Sequence, residues 1–176
     1  MSYIDRSKTR PGTTRRGRML GYDYSYPGYY FITICTDERQ RLFGNIVQDQ
    51  IMLSPAGFMV QKVISTIETQ FQNVSIDASV VMPNHVHLLI GVSVRLQDEV
   101  SSVRVSDVVR WLKNSSVGRY GIGVRRQGWK SYDGRLWQEG FHDRIVRDER
   151  ELETLRNYIA NNVYMWEKDT FYDGLL

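Results

Sequence analysis

The alternation of apolar and polar positions divides this chain, from about residue 22 onward, into short strands and three amphipathic helices. Residues 28–36 are dense in aromatic and β-branched side chains and read as a central strand. A polar turn at 37–41 leads to a short hairpin over 42–47 and 50–53. Ser54-Pro55 offers an N-cap followed by proline at the first helical position. Ala56, Val60, Val63, Ile64, Ile67 and Phe71 then recur at helical spacing, predicting one helix to about residue 72. A strand over 74–82, a turn at Pro83-Asn84 and a second strand to Val92 follow. Val105, Val108, Val109 and Leu112 predict a helix over 105–117, and the glycine-rich stretch 118–134 reads as a mobile loop. Asp148 with Glu151 caps the last helix, whose buried stripe is Leu152, Leu155 and Ile159 and which runs to Asn162.

A length of 176 residues with 41% hydrophobic and 12% aromatic content sets the expectation of a single folded domain over 22–176, preceded by a basic flexible arm over 1–21. No apolar run reaches the roughly 18 residues of a membrane span, and the N-terminus lacks the apolar segment of a secretory signal. One cysteine, Cys35, excludes an internal disulfide and fits a reducing cytoplasm. The net charge of +3 is unevenly spread. Arg15, Arg16 and Arg18 cluster in the arm, and Arg125, Arg126, Lys130 and Arg147 belong to a second basic stretch over 104–150. Such segregation suits a polyanion partner, although it is also what a solvated face looks like. Aromatics interleave with cations over 118–134, which reads equally as a surface for stacking bases and meeting phosphates or as an ordinary loop.

Two of the three histidines, His85 and His87, stand two residues apart at the start of a strand. Residues i and i+2 of a strand share a face, so the imidazoles point together while Val86, Leu88 and Ile90 point into a core. The pair is half of a metal site or a structural pair on a half-buried strand. The strand start places it beside a sheet edge. On the last helix, Tyr158 and Asn162 lie roughly 40° apart at about 100° per residue, one turn from each other. They mark either a core border or a reactive flank.

Together these residues resemble the single-tyrosine HUH transposase superfamily, and most closely its REP-associated tyrosine transposase branch. The likeness rests on 28–36 as first strand, on Met82-Pro83-Asn84-His85-Val86-His87, on Leu136-Trp137-Gln138 with 141–147, and on Tyr158-Ile159-Ala160-Asn161-Asn162. Val163 stands where the family usually has proline, which leaves the end of the helix open. The resemblance implies an α+β fold, a ferredoxin-like antiparallel sheet with helices on one face. It also implies a metal-dependent endonuclease and strand transferase acting on single-stranded DNA near hairpins. In that chemistry Tyr158 attacks a phosphodiester to leave a 5′-phosphotyrosine, and His85, His87 and, as third ligand, Asn162 hold Mg2+ or Mn2+. A further cysteine or histidine ligand would point to zinc instead. His142 is expected to contact DNA or to be structural, and Trp137, Gln138 and Arg147 to position DNA or to hold the tyrosine helix in place. The resemblance leaves open both a monomer and a homodimer that shares the tyrosine helix between subunits. The competing readings are a non-catalytic nucleic-acid-binding protein that keeps the fold and a metal-dependent hydrolase that uses water.

Overall fold

Eight consecutive buried residues, His85–Val92, form the strand around which everything else is arranged. A strand buried on both faces has to be internal, and this one lies between two others in a four-stranded antiparallel sheet. The computed structural model describes residues 26–94, 103–169 and 171–172. Within them the elements are β1 (Gly28–Cys35), β2 (Gly44–Val47), β3 (Gln50–Leu53), α1 (Pro55–Ile64), α2 (Ile67–Gln70), β4 (Val74–Val81), β5 (His85–Val92), α3 (Val105–Gln127), β6 (His142–Ile145) and α4 (Glu149–Asn161). The main sheet runs β4-β5-β1-β6, and β2 and β3 form a separate hairpin. Taken with α1 and α3 as crossovers, the main strands trace the β–α–β–β–α–β path of a ferredoxin-like fold. No helix among the described residues is long and apolar enough to cross a membrane.

The core is two unequal layers. Tyr30, Ile32 and Ile34 of β1 and Val86, Leu88, Ile90 and Val92 of β5 pack with Val60 and Val63 of α1 and Val105, Val108, Val109 and Leu112 of α3. On the opposite face Leu89 meets Leu152, Leu155 and Ile159 of α4. The helices therefore occupy both faces of the sheet, not one as the family likeness implied, because β5 offers an apolar row on each side.

Three other expectations need correcting, and one strand was not foreseen. The helix predicted to residue 72 breaks after Ile64, where Ser65 Oγ donates to Lys62 O and Thr66 Oγ1 donates to Val63 O. Hydroxyls that take backbone carbonyls in this way compete with the helical ladder. The predicted loop over 118–134 is helical through Gln127, and α3 ends at Gly128 with φ 67, a left-handed cap that glycine favours. Tyr120 in that stretch is buried and its hydroxyl donates to Lys130 O. Strand β6, too short to leave a pattern, pairs with β1 as an edge strand. Finally, His85 and His87 lie in the sheet interior and not beside an edge. The arm over 1–21, with Arg15, Arg16 and Arg18, falls outside the described residues.

Candidate active site

The turn at Pro83-Asn84 delivers the chain into β5, and it is pinned from both sides. Met82 N donates to His85 O, while Leu42 N and Phe43 N donate to Pro83 O and Thr36 N to Asn84 O. This buried turn fixes where β5 begins, so His85 and His87 emerge on the α4 face beside Cys35 and Thr33 of β1. His85 Nδ1 meets Asn84 Oδ1 at 2.8 Å, and His87 Nδ1 meets Thr33 Oγ1 at 2.8 Å. With the Nδ1 atoms engaged, both Nε2 atoms converge, 3.0 Å apart. Burial, and for His85 then the neighbouring His87, lowers both imidazole pKa values, that of His85 to about 3. Both rings are neutral at ordinary pH, which is the form that donates a lone pair to a cation.

Helix α4 brings in the remaining groups. Its N-cap Asp148 accepts from Glu151 N, as the sequence implied. The apolar seam then turns Tyr158 and Asn162 toward the histidines. Tyr158 Oη lies 3.5 Å from His87 Nε2, its ring edge-on to Phe31 and to His87. Asn162 is buried at the end of the helix, and its Oδ1 finds no partner among the described residues. The helix stops at Asn161 despite Val163, and turns lead into a short 3-10 segment, Trp166–Lys168.

That segment supplies a residue the sequence reading missed. Asp169 Oδ2 accepts from Tyr158 Oη at 3.1 Å and from Asn162 Nδ2 at 2.9 Å, and lies 3.8 Å from His87 Nε2 and 4.0 Å from His85 Nε2. Burial alone would raise its pKa, but His87, the Phe171 N–H and Asn162 hold the carboxyl well below its usual range. The Tyr158 phenol is pushed up to about 12, by burial first and then by the Asp169 charge and hydrogen bond. His85, His87 and Asp169 offer three ligand atoms within 4.8 Å of one another. The signal in the sequence was faint: Trp166, Phe171 and Tyr172 around Asp169 mark a packed segment, and Trp166 and Phe171 do lie against His85.

Residues 24–162 match the family model described as "Transposase IS200 like". The chain belongs to this transposase family. An uncharacterised protein of Haemophilus influenzae is 31% identical over 165 residues, covering 88% of this chain and 91% of the relative. The chain also shares its fold with a REP-associated tyrosine transposase solved bound to a REP hairpin. That match has a TM-score of 0.58 at 18% identity, over 82% of this chain and 72% of the other.

In this transposase the other expected site residues are scattered. Trp137 is not available to DNA: it is buried at 4% exposure, its Nε1 donates to Ser116 Oγ and its ring packs on Phe43. Gln138 is held through its backbone, donating to Cys35 O and accepting from Lys113 Nζ. Arg125 and Arg126 stand exposed in the last turn of α3, with Lys130 exposed just beyond. Arg147 is exposed ahead of α4. His142 is exposed on β6, in the same row as Thr33 and His87.

Proposed function

We propose that this transposase cuts and rejoins single-stranded DNA beside hairpins, through a covalent 5′-phosphotyrosine at Tyr158. The observation that carries the reading is the approach of Tyr158 Oη to within 3.5 Å of His87 Nε2 inside one chain. A nucleophile and a cluster of cation-binding atoms stand together on the α4 face of the sheet, and attack on a phosphodiester requires that proximity.

The donor set fits a hard divalent ion. Asn162 Oδ1 is a buried oxygen with no partner among the described residues, the two imidazoles bring neutral Nε2 atoms within 3.0 Å of each other, and Asp169 adds a carboxylate. His85, His87, Asn162 and Asp169 would hold the ion, and mixed nitrogen and oxygen ligation suits Mg2+ or Mn2+. A bound ion of this kind supplies Lewis-acid polarisation of the phosphate and stabilises the departing 3′-oxygen.

The chain's own groups account for the rest. With its pKa at about 12 and its hydroxyl donating to Asp169, the phenol stays protonated in the resting protein. As Tyr158 Oη bonds to phosphorus and the P–O3′ bond breaks, Asp169 therefore takes the phenol proton, and the departing 3′-oxygen takes one up to leave as a hydroxyl. The 3′-hydroxyl formed later attacks the phosphotyrosine, so neither water nor a nucleotide is consumed in joining. Helix α4 packs on the β4–β5 side of the sheet, and Phe31, His142 and Arg144 continue the same face across β1 and β6. A strand of DNA reaching the tyrosine would lie along that half. The hairpin preference rests on the fold shared with the REP-bound protein.

Incubation with labelled single-stranded hairpin DNA and Mn2+ tests the reading. A denaturation-resistant protein–DNA adduct is expected from the wild type and none from Tyr158→Phe. Binding without any cleavage would leave a nucleic-acid-binding protein, and cleavage that survives Tyr158→Phe would assign the chemistry to water.

A further inference from the structure

Strand β4 contains one residue too many. Ile76 pairs with Ile90 and Ala78 with Leu89, so Asp77 is the extra residue of a bulge. In a regular strand alternate residues face opposite sides, but a bulge breaks the alternation and re-aims a side chain. Here Asp77 and Ala78, consecutive in the chain, both serve the α4 side. Ala78 packs against the Leu89–Leu155 cluster, and Asp77 meets Arg156 of α4.

That meeting is two-pronged. Arg156 Nε donates to Asp77 Oδ2 at 2.8 Å, and Nη2 donates to Oδ1 at 2.8 Å. Glu149 and Glu153, on the same helix, hold Nη1 at 3.3 Å each. The fork keeps the Asp77 carboxyl below its ordinary pKa. Arg156 lies two residues before Tyr158; elsewhere α4 meets the sheet through an apolar seam of Leu152, Leu155 and Ile159 on Leu89 and, a turn or more nearer its N-terminus, through an ion pair of Glu151 with Arg144 of β6. Apolar contact is non-directional and tolerates a small slide or roll of a helix, while a planar guanidinium on a carboxylate does not.

We propose that Arg156 is a positioning residue for the nucleophile: its fork onto the bulge carboxylate of Asp77 sets the roll and height of α4 over β5 of the same subunit. The inference rests on Tyr158 being the nucleophile. Its physical content is that a displacement of about 1 Å at a reacting atom costs on the order of 100-fold in rate.

The test joins single-turnover adduct formation to a spectrum that needs neither DNA nor metal. With 3-fluorotyrosine at position 158, the ring contacts to Phe31 at 5.7 Å and His87 at 5.3 Å set the fluorine shift. Arg156→Met and Asp77→Asn are each expected to move or broaden that resonance. Each should slow the adduct step by about 10–100-fold with DNA affinity changed by less than about 3-fold, and the double variant should be no slower than the slower single. Arg156→Lys keeps a cation beside Glu149 and Glu153 but lacks the fork, so it should behave like Arg156→Met. If the lysine variant matches the wild type, the role is helix stability and the proposal falls. Additive losses, or a fluorine resonance that does not respond, overturn it as well. If the wild type forms no adduct, the nucleophile reading fails by itself, and the fluorine spectra still decide whether the fork positions the ring.

Discussion

Thr33 and Asn84 touch only the far side of the imidazoles, yet they decide what the near side can do. Each takes up an Nδ1, which fixes the ring orientation and leaves Nε2 facing the site. Removing such a partner typically weakens metal binding by about 10–100-fold, so Thr33→Val should raise the Mn2+ dissociation constant in that range by calorimetry. Folding should be little affected, because valine is close to threonine in shape. At this scale the sequence was readable where local geometry suffices. His85 and His87 share a face by the strand period, and Tyr158 and Asn162 share a flank by the helix period. Asp169 was not readable, because its place depends on a turn after α4 that brings a distant segment back over β5. Trp137 meets a related limit: a motif cannot tell a residue that positions DNA from one that holds the fold, and here the ring fills the core.

Among the elements, strands β1, β2, β3 and β5 and the caps of α1 and α4 followed their patterns and α3 did not. Glycines at 118, 121 and 123 argue for a loop, but at Gly123 the missing side chain is what the packing uses. A Cβ there would lie 2.3 Å from the Trp129 ring, which folds back onto the helix and meets Tyr120 edge-on. Gly123→Ala improves helix propensity but forces the tryptophan out. It should therefore lower stability by about 1–3 kcal/mol in urea unfolding, the usual cost of overpacking. Were the segment a loop, the same change would be neutral or stabilising. The break after α1 and the bulge in β4 were equally hidden, since each depends on where a side chain finds its partner once the layers have met.

For the whole molecule, burying two neutral imidazoles carries a pH signature. His85 holds off its proton down to about pH 3 when folded, while the unfolded chain takes it up near its ordinary value of 6.5. The unfolded state thus binds more protons between these values, and stability falls as pH drops from 6.5. Asp169 adds to the same acid-side loss below its ordinary 3.8, because its folded carboxyl is the more acidic. The melting temperature of the metal-free protein should decline steadily from pH 6.5 to about pH 4, and His85→Gln should flatten that decline.

The linear chain by itself determined strands β1 to β5, the two-histidine face, the capped tyrosine helix and, through its motifs, a resemblance to the transposase family that implied a ferredoxin-like layer. These are written in short-range periodicity and in residue types whose chemistry is local. The folded molecule alone decided that α4 covers the opposite face from α1 and α3, that Tyr158 meets the histidines of its own chain, and that Asp169 and the Asp77–Arg156 fork complete the arrangement. Those outcomes depend on contacts between residues as many as 84 positions apart, as Asp169 is from His85. Contacts at that range are fixed by how layers pack, and no pattern along the chain encodes them.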